Sequence, residues 1–421
     1  MTIGIIGLGY VGLPLAVEFA EAGHQVIGVD TNAGRVEALR RGESHIEDIP
    51  SERLQGIMDR FEATTMSRRL VLADAILICV PTPLTRNREP DLGPLLSAAT
   101  AVSGVLQRGQ LVVLESTTYP GTTRERLLPI LEETGLSAGR DFHLGFSPER
   151  VDPGRTDHTL RTTPKVVGGL TQACLERALE VYGLVCDELV PVSTPEVAEM
   201  AKLLENIFRA VNIALVNEMA MVADRMRIDI REVVDAAATK PFGFMRFDPG
   251  PGMGGHCLPV DPFYLSWKAR EHEVTTEFIE LAGKVNQQTP HFCVEKVERA
   301  LNDLSKPVRG SRILLLGMSY KPGVGDIRES PALKILAGLR ELGADVRYHD
   351  PYVPELPGFG LSSTGLDNAV AEADLVVIVT AHPGIDHIGI ADTVPTVDLR
   401  GVTRAGRRAE MAGAMNGNGK V

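Results

Sequence analysis

One cysteine of this chain follows directly after a glycine-rich loop. The segment 249–261 reads Pro-Gly-Pro-Gly-Met-Gly-Gly-His-Cys-Leu-Pro-Val-Asp, so Cys257 lies next to His256 and precedes Asp261. A thiolate in such a loop is a candidate nucleophile, because it can add to a carbonyl carbon and hold the product as an acyl group. His256 is not assigned as its base, since adjacent side chains usually point apart. The alternative for Cys257 is a buried small hydrophobic residue, which is the role that we predict for Cys79, Cys174, Cys186 and Cys293.

The start of the chain carries a dinucleotide fingerprint. A strand pattern at 3–6 leads into Gly-Leu-Gly-Tyr-Val-Gly and then into a helical pattern, which is the context that the fingerprint requires. The glycines let the backbone approach a pyrophosphate at the helix N-terminus. The candidate cofactor-binding residues are therefore Gly7, Gly9, Tyr10, Val11 and Gly12. The alternatives are a glycine-rich turn in an ordinary strand–helix unit and a nucleotide site of another kind.

An aspartate after the next strand pattern indicates which cofactor to expect. Asp30 follows the fingerprint by about 20 residues, where an acid binds the ribose hydroxyls. A carboxylate there repels a 2′-phosphate, so we predict NAD rather than NADP, although Arg35 could contact the adenine or a phosphate. Two further loops, one with Pro81 and Thr82 and one with Thr117, also follow strand patterns, where ligands bind in such sheets. Each of these loops alone is more often a capped turn.

The two motifs together point to a dehydrogenase that runs two oxidations. A nicotinamide cofactor oxidises an alcohol to an aldehyde, and the thiolate of Cys257 would trap that aldehyde and carry it on to an acid. Lys202 and Asn206 share one face of a predicted helix and could hold an oxyanion. Glu149 follows another strand pattern and could position a water. Alone, the lysine and asparagine are more often a solvated stripe, and an isolated glutamate is more often a surface acid.

The elements that must position these residues follow from the hydrophobic pattern. Strand and helix patterns alternate over about the first 190 residues, which is typical of a doubly wound parallel sheet. A helix-start signal at 193–196 then opens a long helical pattern that ends near Met226, and the alternation resumes at Arg312. We therefore predict an α/β fold with two Rossmann-like doubly wound parallel-sheet domains, joined by a long-helix all-α spine.

The predicted domains divide the chain into four parts. They are a Rossmann-like NAD-binding domain at 1–192, a central helical domain at 193–304 that suits a dimer interface, a second α/β domain at 305–403, and a flexible tail at 404–421. An internal similarity supports the two sheets. Segments 21–30 and 341–350 both read as a helix end, a glycine turn, a strand and a terminal aspartate.

Composition limits the partners. The net charge of the 421 residues is −12 without a basic run, which argues against nucleic acid and against an anionic membrane surface. We find no signal peptide and no apolar run long enough to span a membrane. The five cysteines are scattered without CxxC pairs, which argues against structural zinc or disulfides and fits the cytoplasm. We expect no metal and a small-molecule substrate.

Eight motifs together resemble those of the UDP-sugar 6-dehydrogenases, the family of UDP-glucose, UDP-N-acetylglucosamine and UDP-N-acetylmannosamine dehydrogenases. The resemblance covers residues 3 to about 400. The motifs are Gly-Leu-Gly-Tyr-Val-Gly-Leu-Pro at 7–14, Cys-Val-Pro-Thr-Pro at 79–83, Glu-Ser-Thr-Thr-Tyr-Pro-Gly-Thr-Thr at 115–123, Ser-Pro-Glu-Arg at 147–150, Lys-Leu-Leu-Glu-Asn at 202–206, Gly-Gly-His-Cys-Leu-Pro-Val-Asp at 254–261, Gly-Met-Ser-Tyr-Lys-Pro at 317–322 and Asp-Ile-Arg-Glu-Ser-Pro at 326–331.

The resemblance implies a role for each candidate. Cys257 would form the thiohemiacetal and the thioester, while Asp261 would orient a lysine and a water. Lys202 and Asn206 would stabilise the oxyanion. Glu149 would assist hydrolysis, and Thr117 would lie beside the nicotinamide. The residues implied at the UDP-sugar are Glu149, Arg150, Lys202, Asn206, Gly254 and Lys321, and Arg328 is implied at the cofactor. The second α/β domain would bind the UDP-sugar, and the enzyme would be a homodimer or a higher homo-oligomer.

The substrate expected from the resemblance is a UDP-N-acetylhexosamine. Arg150 and Pro153 stand where the UDP-glucose branch usually has a phenylalanine and a second acid, so UDP-N-acetylglucosamine is the first expectation. The alternatives are UDP-N-acetylmannosamine, UDP-N-acetylgalactosamine and UDP-glucose. Two remoter hypotheses stay open at this point. One is a one-step hydroxyacid dehydrogenase in which Cys257 is inert, and the other is a nucleotide-sensing protein without turnover.

Overall fold

The computed structural model describes residues 1–85, 87, 89–151, 159–255 and 257–404. The chain separates into two compact units. The first unit comprises Met1–Asn206 and Val260–Thr275, and the second comprises Ile207–Pro259 and the described residues from Thr276 onward. His256, Pro153 and the predicted tail beyond Arg404 lie outside the described residues. The division into three domains and a tail stays a prediction.

Strands and helices alternate along most of the chain. The strands are β1 (Thr2–Ile6), β2 (Gln25–Val29), β3 (Phe61–Thr64), β4 (Ala75–Ile78), β5 (Leu111–Leu114), β6 (His143–Phe146), β7 (Lys165–Gly169), β8 (Leu189–Val192), β9 (Arg312–Leu316), β10 (Asp345–His349), β11 (Glu355–Leu356), β12 (Leu361–Ser362), β13 (Leu375–Ile378) and β14 (Thr396–Asp398). The α-helices are α1 (Gly12–Glu21), α2 (Ala33–Arg40), α3 (Ser51–Gln55), α4 (Gly93–Ser103), α5 (Leu128–Glu132), α6 (Gln172–Tyr182), α7 (Pro195–Met226), α8 (Ile230–Ala237), α9 (Asp261–Arg270), α10 (Glu277–Asp303), α11 (Pro331–Glu341), α12 (Leu366–Glu372) and α13 (His387–Thr393).

The first unit is built on an eight-stranded sheet with the order β3-β2-β1-β4-β5-β6-β7-β8. Alternate residues of its strands enter two separate hydrophobic cores, so that Ile5 belongs to one and Ile6 to the other. Helices α1 and α6 contribute to the first core and α4 to the second. Both faces of the sheet are therefore covered, as the continuous apolar strand patterns predict for a doubly wound fold.

One strand pair departs from the predicted parallel sheet. Strands β6 and β7 are antiparallel, with Phe146 opposite Gly168, whereas every other neighbouring pair of this sheet is parallel. The physical reason lies in the connection, since a parallel neighbour needs a crossover back to the other edge of the sheet. Strand β7 instead starts at the edge where β6 ends, and this places Lys165 at that edge.

The second unit holds a smaller parallel sheet with the order β10-β9-β13-β14. Its two faces again enter separate cores, with Leu315 in one and Leu316 in the other. Helices α10 and α11 pack in the first of these cores. The predicted α/β class, with two Rossmann-like sheets and a long central helix, is confirmed.

The internal similarity seen in the sequence corresponds to the same local structure in both units. In the first unit Asp30 accepts a hydrogen bond from the backbone N–H of Leu8 at 2.9 Å. In the second unit Asp350 accepts one from the backbone N–H of Met318 at 2.7 Å. Each aspartate follows the second strand of its sheet and stabilises the loop after the first strand through this hydrogen bond. The repeated aspartate is therefore a structural element in both units.

Helix α7 is the predicted spine helix and begins where the sequence places it. Thr194 lies before its first turn and accepts a hydrogen bond from the N–H of Val197 at 3.4 Å, while Pro195 is the first helical residue. This is the arrangement that a hydroxyl followed by proline predicts. Among the described residues, none of the helices combines the length and the apolar character needed to cross a bilayer.

Candidate active site

The loops that carry the first-unit candidates lie at one edge of the large sheet. Strands β1, β4, β5 and β6 are mutually parallel neighbours in the sheet, so their carboxyl ends meet at the same edge. The strand order reverses between β1 and β4, and ligands bind at such a switch point in open α/β sheets. The loops that follow these strands contain the fingerprint, Thr82, Thr117 and Glu149.

The three fingerprint glycines have different steric surroundings. Gly7 has a φ of 91°, and a Cβ there would lie 2.5 Å from the carbonyl oxygen of Cys79. At Gly12 a Cβ would lie 1.9 Å from the carbonyl oxygen of Gly7. A Cβ at Gly9 would meet no described atom of the chain within 4 Å. The fold therefore requires the first and third glycines, whereas the second leaves open the close approach that a pyrophosphate needs.

The residues between these glycines begin helix α1. Val11 occupies the N-cap position of α1, where no described side chain accepts a hydrogen bond from the first turn. Backbone N–H groups at such a helix end favour an anion. Tyr10 is partly exposed, and its hydroxyl lies 3.4 Å from a carboxylate oxygen of Glu47.

Asp30 is buried and fully engaged by donors. Its carboxylate accepts from the N–H of Leu8 at 2.9 Å, from the N–H of Asn32 at 2.9 Å and from the guanidinium of Arg35 at 2.8 Å. Burial opposes ionisation of Asp30, but these hydrogen bonds outweigh it and lower its pKa. The carboxylate is thus held ionised beside the fingerprint loop, where it suits ribose hydroxyls. Arg35 contacts this aspartate, so part of its charge is already compensated.

Two loops at the switch point are tied to each other. The hydroxyl of Thr82 donates to the carbonyl of Thr117 at 2.8 Å, and the hydroxyl of Ser116 donates to the carbonyl of Val80 at 2.7 Å. The hydroxyl of Tyr264, on helix α9, donates to the carbonyl of Thr82. Thr82 and Thr117 therefore form one connected site, and Pro81 lies within the same loop.

Lys202, Asn206 and Asp261 come together in the first unit. The side-chain amide of Asn206 donates to a carboxylate oxygen of Asp261 at 2.6 Å, and both residues are buried. Burial raises the pKa of Asp261 to about 7, and the charge of Lys202 and the amide hydrogen bond oppose that rise. A carboxylate that titrates near neutral pH beside a lysine and an amide suits proton handling at a reacting carbon. Because Asn206 is buried, the alternative that it lies on a solvent-exposed helix face is wrong.

Glu149 and Arg150 are held by different neighbours. One carboxylate oxygen of Glu149 accepts the backbone N–H groups of Arg150 at 2.7 Å and Val151 at 2.6 Å. The guanidinium of Arg150 pairs with Glu205 of helix α7 at 2.7 Å and donates to the carbonyl of Pro164 at 2.6 Å. Glu149 is therefore positioned by its own loop, and Arg150 fastens that loop to the helix that carries Lys202.

The second unit contains the cysteine loop. Cys257 is exposed, whereas the other four cysteines are buried as predicted. Burial raises the pKa of Cys186 to about 11 and that of Cys293 to about 12, so these thiols stay protonated near neutral pH. The alternative of a buried hydrophobic residue is therefore wrong for Cys257.

The loop before this cysteine packs against the segment that follows β9. The N–H of Gly255 donates to the carbonyl of Arg328 at 3.0 Å. A Cβ at Gly254 would lie 2.7 Å from the Cβ of Tyr320, so this glycine is required by packing. The guanidinium of Arg328 contacts Asp326 at 2.6 Å, and the carbonyl of Lys321 accepts from the hydroxyl of Ser319 at 2.8 Å. Gly254, Arg328 and Lys321 thus belong to one local substructure of the second unit.

Three profiles of one enzyme family match this chain. The NAD binding domain of the UDP-glucose/GDP-mannose dehydrogenase family matches residues 1–185, its central domain matches 196–288, and its UDP binding domain matches 314–405.

The chain belongs to the UDP-glucose/GDP-mannose dehydrogenase family.

Similar proteins are named as dehydrogenases of several nucleotide-linked N-acetylhexosamines. The chain is 35% identical to a UDP-N-acetyl-D-glucosamine 6-dehydrogenase of Pseudomonas aeruginosa, over 92% of each chain. It is 36% identical to an NDP-N-acetyl-D-galactosaminuronic acid dehydrogenase of Ralstonia nicotianae, over 90% of each chain. A solved UDP-D-ManNAc dehydrogenase of Pyrococcus horikoshii superposes with a TM-score of 0.87 at 34% identity, over 95% of each chain.

Family membership settles the class of enzyme and its cofactor. This dehydrogenase is an NAD-dependent oxidoreductase that acts on a UDP-sugar. The nucleotide-sensing hypothesis without turnover is therefore wrong. The described residues fit NAD on structural grounds as well, because Gly9 leaves room for a pyrophosphate and Asp30 is held ionised beside it.

Sequence reasoning missed several buried polar residues around this site. Glu115, Lys165 and Tyr182 form a cluster behind the Thr117 loop. Glu199, on α7, accepts the N–H groups of Gly121 at 2.6 Å and Thr123 at 2.9 Å. The only sequence signal was an acid directly after an apolar strand or within an apolar helix face, and such a position does not reveal its partner. Arg246 pairs on the surface with Asp235 and Asp248 at 2.9 and 2.8 Å.

Proposed function

We propose that this enzyme oxidises C6 of a UDP-N-acetylhexosamine to a carboxylate through two successive oxidations and a thioester on Cys257. The observation that carries the proposal is the buried group of Asn206 and Asp261 beside Lys202. A group of side chains that offers an amide, an ammonium and a carboxyl with a pKa near 7 suits a carbon that changes between tetrahedral and trigonal states.

The chemistry assigns one task to each side chain. NAD supplies the hydride acceptor for the two oxidations, one molecule for each. The thiol of Cys257 adds to the C6 aldehyde and forms a C–S bond, and oxidation of this thiohemiacetal gives the thioester. Lys202 and Asn206 stabilise the oxygen that carries negative charge in both tetrahedral species. Asp261 takes up and returns protons beside them.

Hydrolysis completes the turnover. Glu149 orients a water and takes its proton as the water adds to the thioester carbonyl. The C–S bond then breaks, and Cys257 leaves as a thiolate that is protonated again. Thr117 lies in the loop at the switch point and contributes to the nicotinamide end of the site, with Pro81 and Thr82 beside it. In this proposal Arg150, Gly254 and Lys321 hold the UDP-sugar, and Arg328 contributes to cofactor binding.

The hexosamine assignment rests on the loop after β6. Arg150 fixes this loop to Glu205 and to the carbonyl of Pro164, and a phenylalanine at this position could make neither contact. UDP-N-acetylglucosamine is the first candidate substrate. The manno and galacto epimers and UDP-glucose are the alternatives that a substrate panel distinguishes.

We propose further that the enzyme is a cytoplasmic homodimer or higher homo-oligomer. Exposed apolar side chains recur along α7, mostly at spacings of three or four residues: Val197, Met200, Leu204, Phe208, Leu215, Met219, Val222 and Met226. A continuous apolar stripe on a long helix suits burial against a second copy. We define these eight residues as the α7 stripe.

Product stoichiometry tests the proposed function. UDP-N-acetylglucosamine with excess NAD should give two NADH for each uronate, followed at 340 nm and by mass spectrometry of the nucleotide sugar. Cys257→Ser should bind NAD but lose the complete oxidation, whereas the matched change Cys186→Ala should keep it. One NADH for each product, or full oxidation by Cys257→Ser, would overturn the covalent two-step route. One NADH for each product would also favour the one-step chemistry of the remoter hypothesis.

A further inference from the structure

A buried ion pair lies behind the loops of Thr117 and Glu149. The ammonium of Lys165 contacts a carboxylate oxygen of Glu115 at 2.7 Å, and both side chains are almost completely buried. The same ammonium donates to the carbonyl of Pro148 at 3.2 Å. Lys165 therefore contacts both the residue that directly follows β5 and the residue just before Glu149.

Tyr182 completes the group. Its hydroxyl donates to the second carboxylate oxygen of Glu115, and its ring lies 5.2 Å from the ammonium of Lys165. Burial disfavours the charged form of Lys165, but the negative charges of Glu115 and Glu149 outweigh it and raise its pKa. The lysine is thus held as a cation. We name Glu115, Lys165 and Tyr182 the buried triad.

Chain topology explains how the triad reaches both loops. Glu115 directly follows β5 and stands two residues before Thr117. Because β7 runs antiparallel to β6, its first residue, Lys165, lies at the edge where β6 ends and where Pro148 and Glu149 follow. The antiparallel pair is the one exception in this sheet, and it is what brings a lysine from a later strand to this edge.

Energetics argue against a purely structural purpose. A buried ion pair gains little net stability, because the desolvation of both ions offsets their attraction, and apolar residues of similar volume often serve folding as well or better. Elsewhere in this sheet the strand residues around Glu115, such as Val113 and Leu114, are apolar and buried. Packing alone therefore does not explain why charged side chains occupy the positions of the triad.

We propose that Lys165, held by Glu115 and Tyr182, is a positioning residue that fixes the loop of Glu149 for thioester hydrolysis. It does so by donating to the carbonyl of Pro148, directly before Glu149, while its ammonium is held in place by the carboxylate of Glu115. This inference rests on the proposed function, since it concerns the second half of that reaction. Because Glu149 has no task in the two oxidations, loss of the triad should slow hydrolysis and leave thioester formation unchanged.

The decisive variant removes both charges together, because removal of one would leave the other buried and unpaired. In Glu115→Gln/Lys165→Met, rapid mixing with NAD and UDP-N-acetylglucosamine should give a normal burst of NADH. Steady turnover should then be about 10- to 100-fold slower, as expected for a displaced catalytic group. Intact mass after acid quenching should show an acyl group on Cys257. The melting temperature should stay near that of the wild type.

The matched control lies at the opposite edge of the same strands. Asp141, which precedes β6, pairs with Arg108 and Arg140. Asp141→Asn can lower the melting temperature, but it should leave the ratio of the NADH burst to the steady turnover rate unchanged. If the double variant slows both phases equally, or hydrolyses the acyl group at the wild-type rate, the triad has a structural role and the inference is wrong.

A milder variant covers the case in which the double variant does not fold. Tyr182→Phe removes one hydrogen bond to Glu115 and keeps the ion pair. It should slow hydrolysis several-fold with an unchanged burst, and unchanged hydrolysis would overturn the inference. Failure of the proposed function has a different signature, because the wild-type enzyme itself would then yield no thioester and no second NADH.

Discussion

Asn206 donates its side-chain amide to the carboxylate of Asp261 across 2.6 Å, although 55 positions separate the two residues in the chain. Helix α7 supplies the amide and the first turn of α9 supplies the carboxylate, within the same unit. Burial holds the pKa of Asp261 near 7, against the opposing charge of Lys202. This residue therefore changes its charge near neutral pH.

Asp261 should make the stability of the folded enzyme depend on pH. Because its pKa rises from 3.8 to about 7 on folding, the folded state binds this proton more tightly than the unfolded state. The resulting stabilisation is complete below about pH 4 and is lost as the pH rises through about 7, by up to about 4 kcal/mol. Asp261→Asn lacks this loss, so its unfolding free energy relative to the wild type should increase between pH 5 and pH 8.

Denaturant unfolding at several pH values measures that difference. The control is Asp59→Asn, which makes the same substitution at an exposed position. The same Asp261→Asn variant should lower kcat by about 100-fold, because it cannot exchange a proton beside Lys202. A pH-independent stability difference would contradict the raised pKa.

The fingerprint glycines should separate folding from cofactor binding. A methyl group at Gly9 meets no described atom of the chain within 4 Å, whereas at Gly12 it would overlap the carbonyl of Gly7. Gly9→Ala should therefore keep the wild-type melting temperature but weaken NAD binding by about tenfold or more, since a pyrophosphate needs that space. Gly12→Ala should lower the melting temperature, because its methyl group would overlap the backbone. Calorimetric titration with NAD and thermal unfolding check the two effects, and equal losses of stability in both variants would contradict this assignment.

Asp30 should determine the preference for NAD. Its carboxylate is held ionised by three donors, so it accepts from ribose hydroxyls and repels a 2′-phosphate. Asp30→Ala should raise the Kd for NAD about tenfold and increase the relative use of NADP, because Arg35 then loses its partner. Glu37→Ala, at an exposed site of α2, is the matched control. An unchanged ratio of the two cofactors would mean that Asp30 serves only to hold the fingerprint loop.

The α7 stripe should carry the contact between subunits. Leu215 is about half exposed near the middle of this stripe, and a charge there would be buried without a partner in a dimer. Leu215→Glu should shift the enzyme to a smaller species in sedimentation velocity. Leu72→Glu changes a similarly exposed leucine outside α7 and should leave the sedimentation coefficient unchanged. Equal coefficients for the two variants and the wild type would place the interface elsewhere.

Much of the fold follows from local patterns. Apolar runs of four or five residues gave the strands, and the proline after Thr194 gave the start of α7 within two residues, because caps and periodicity act over a single turn. The antiparallel pairing of β6 with β7 could not be predicted from local patterns. Strand direction depends on where the chain re-enters the sheet, and the intervening sequence carries no local signal for it.

The sequence alone determined the residue types that can do the chemistry: the glycines around Gly9, the acid at position 30, the thiol at 257, and Lys202 and Asn206 on one helix face. Each of these is encoded by spacing within a few residues or by a motif. Only the tertiary structure decided which partners these groups have. It paired Asn206 with Asp261, Arg150 with Glu205 and Lys165 with Glu115. The reason is physical, since hydrogen bonds and ion pairs between distant segments depend on folded geometry, and burial in that geometry sets the protonation of Asp261.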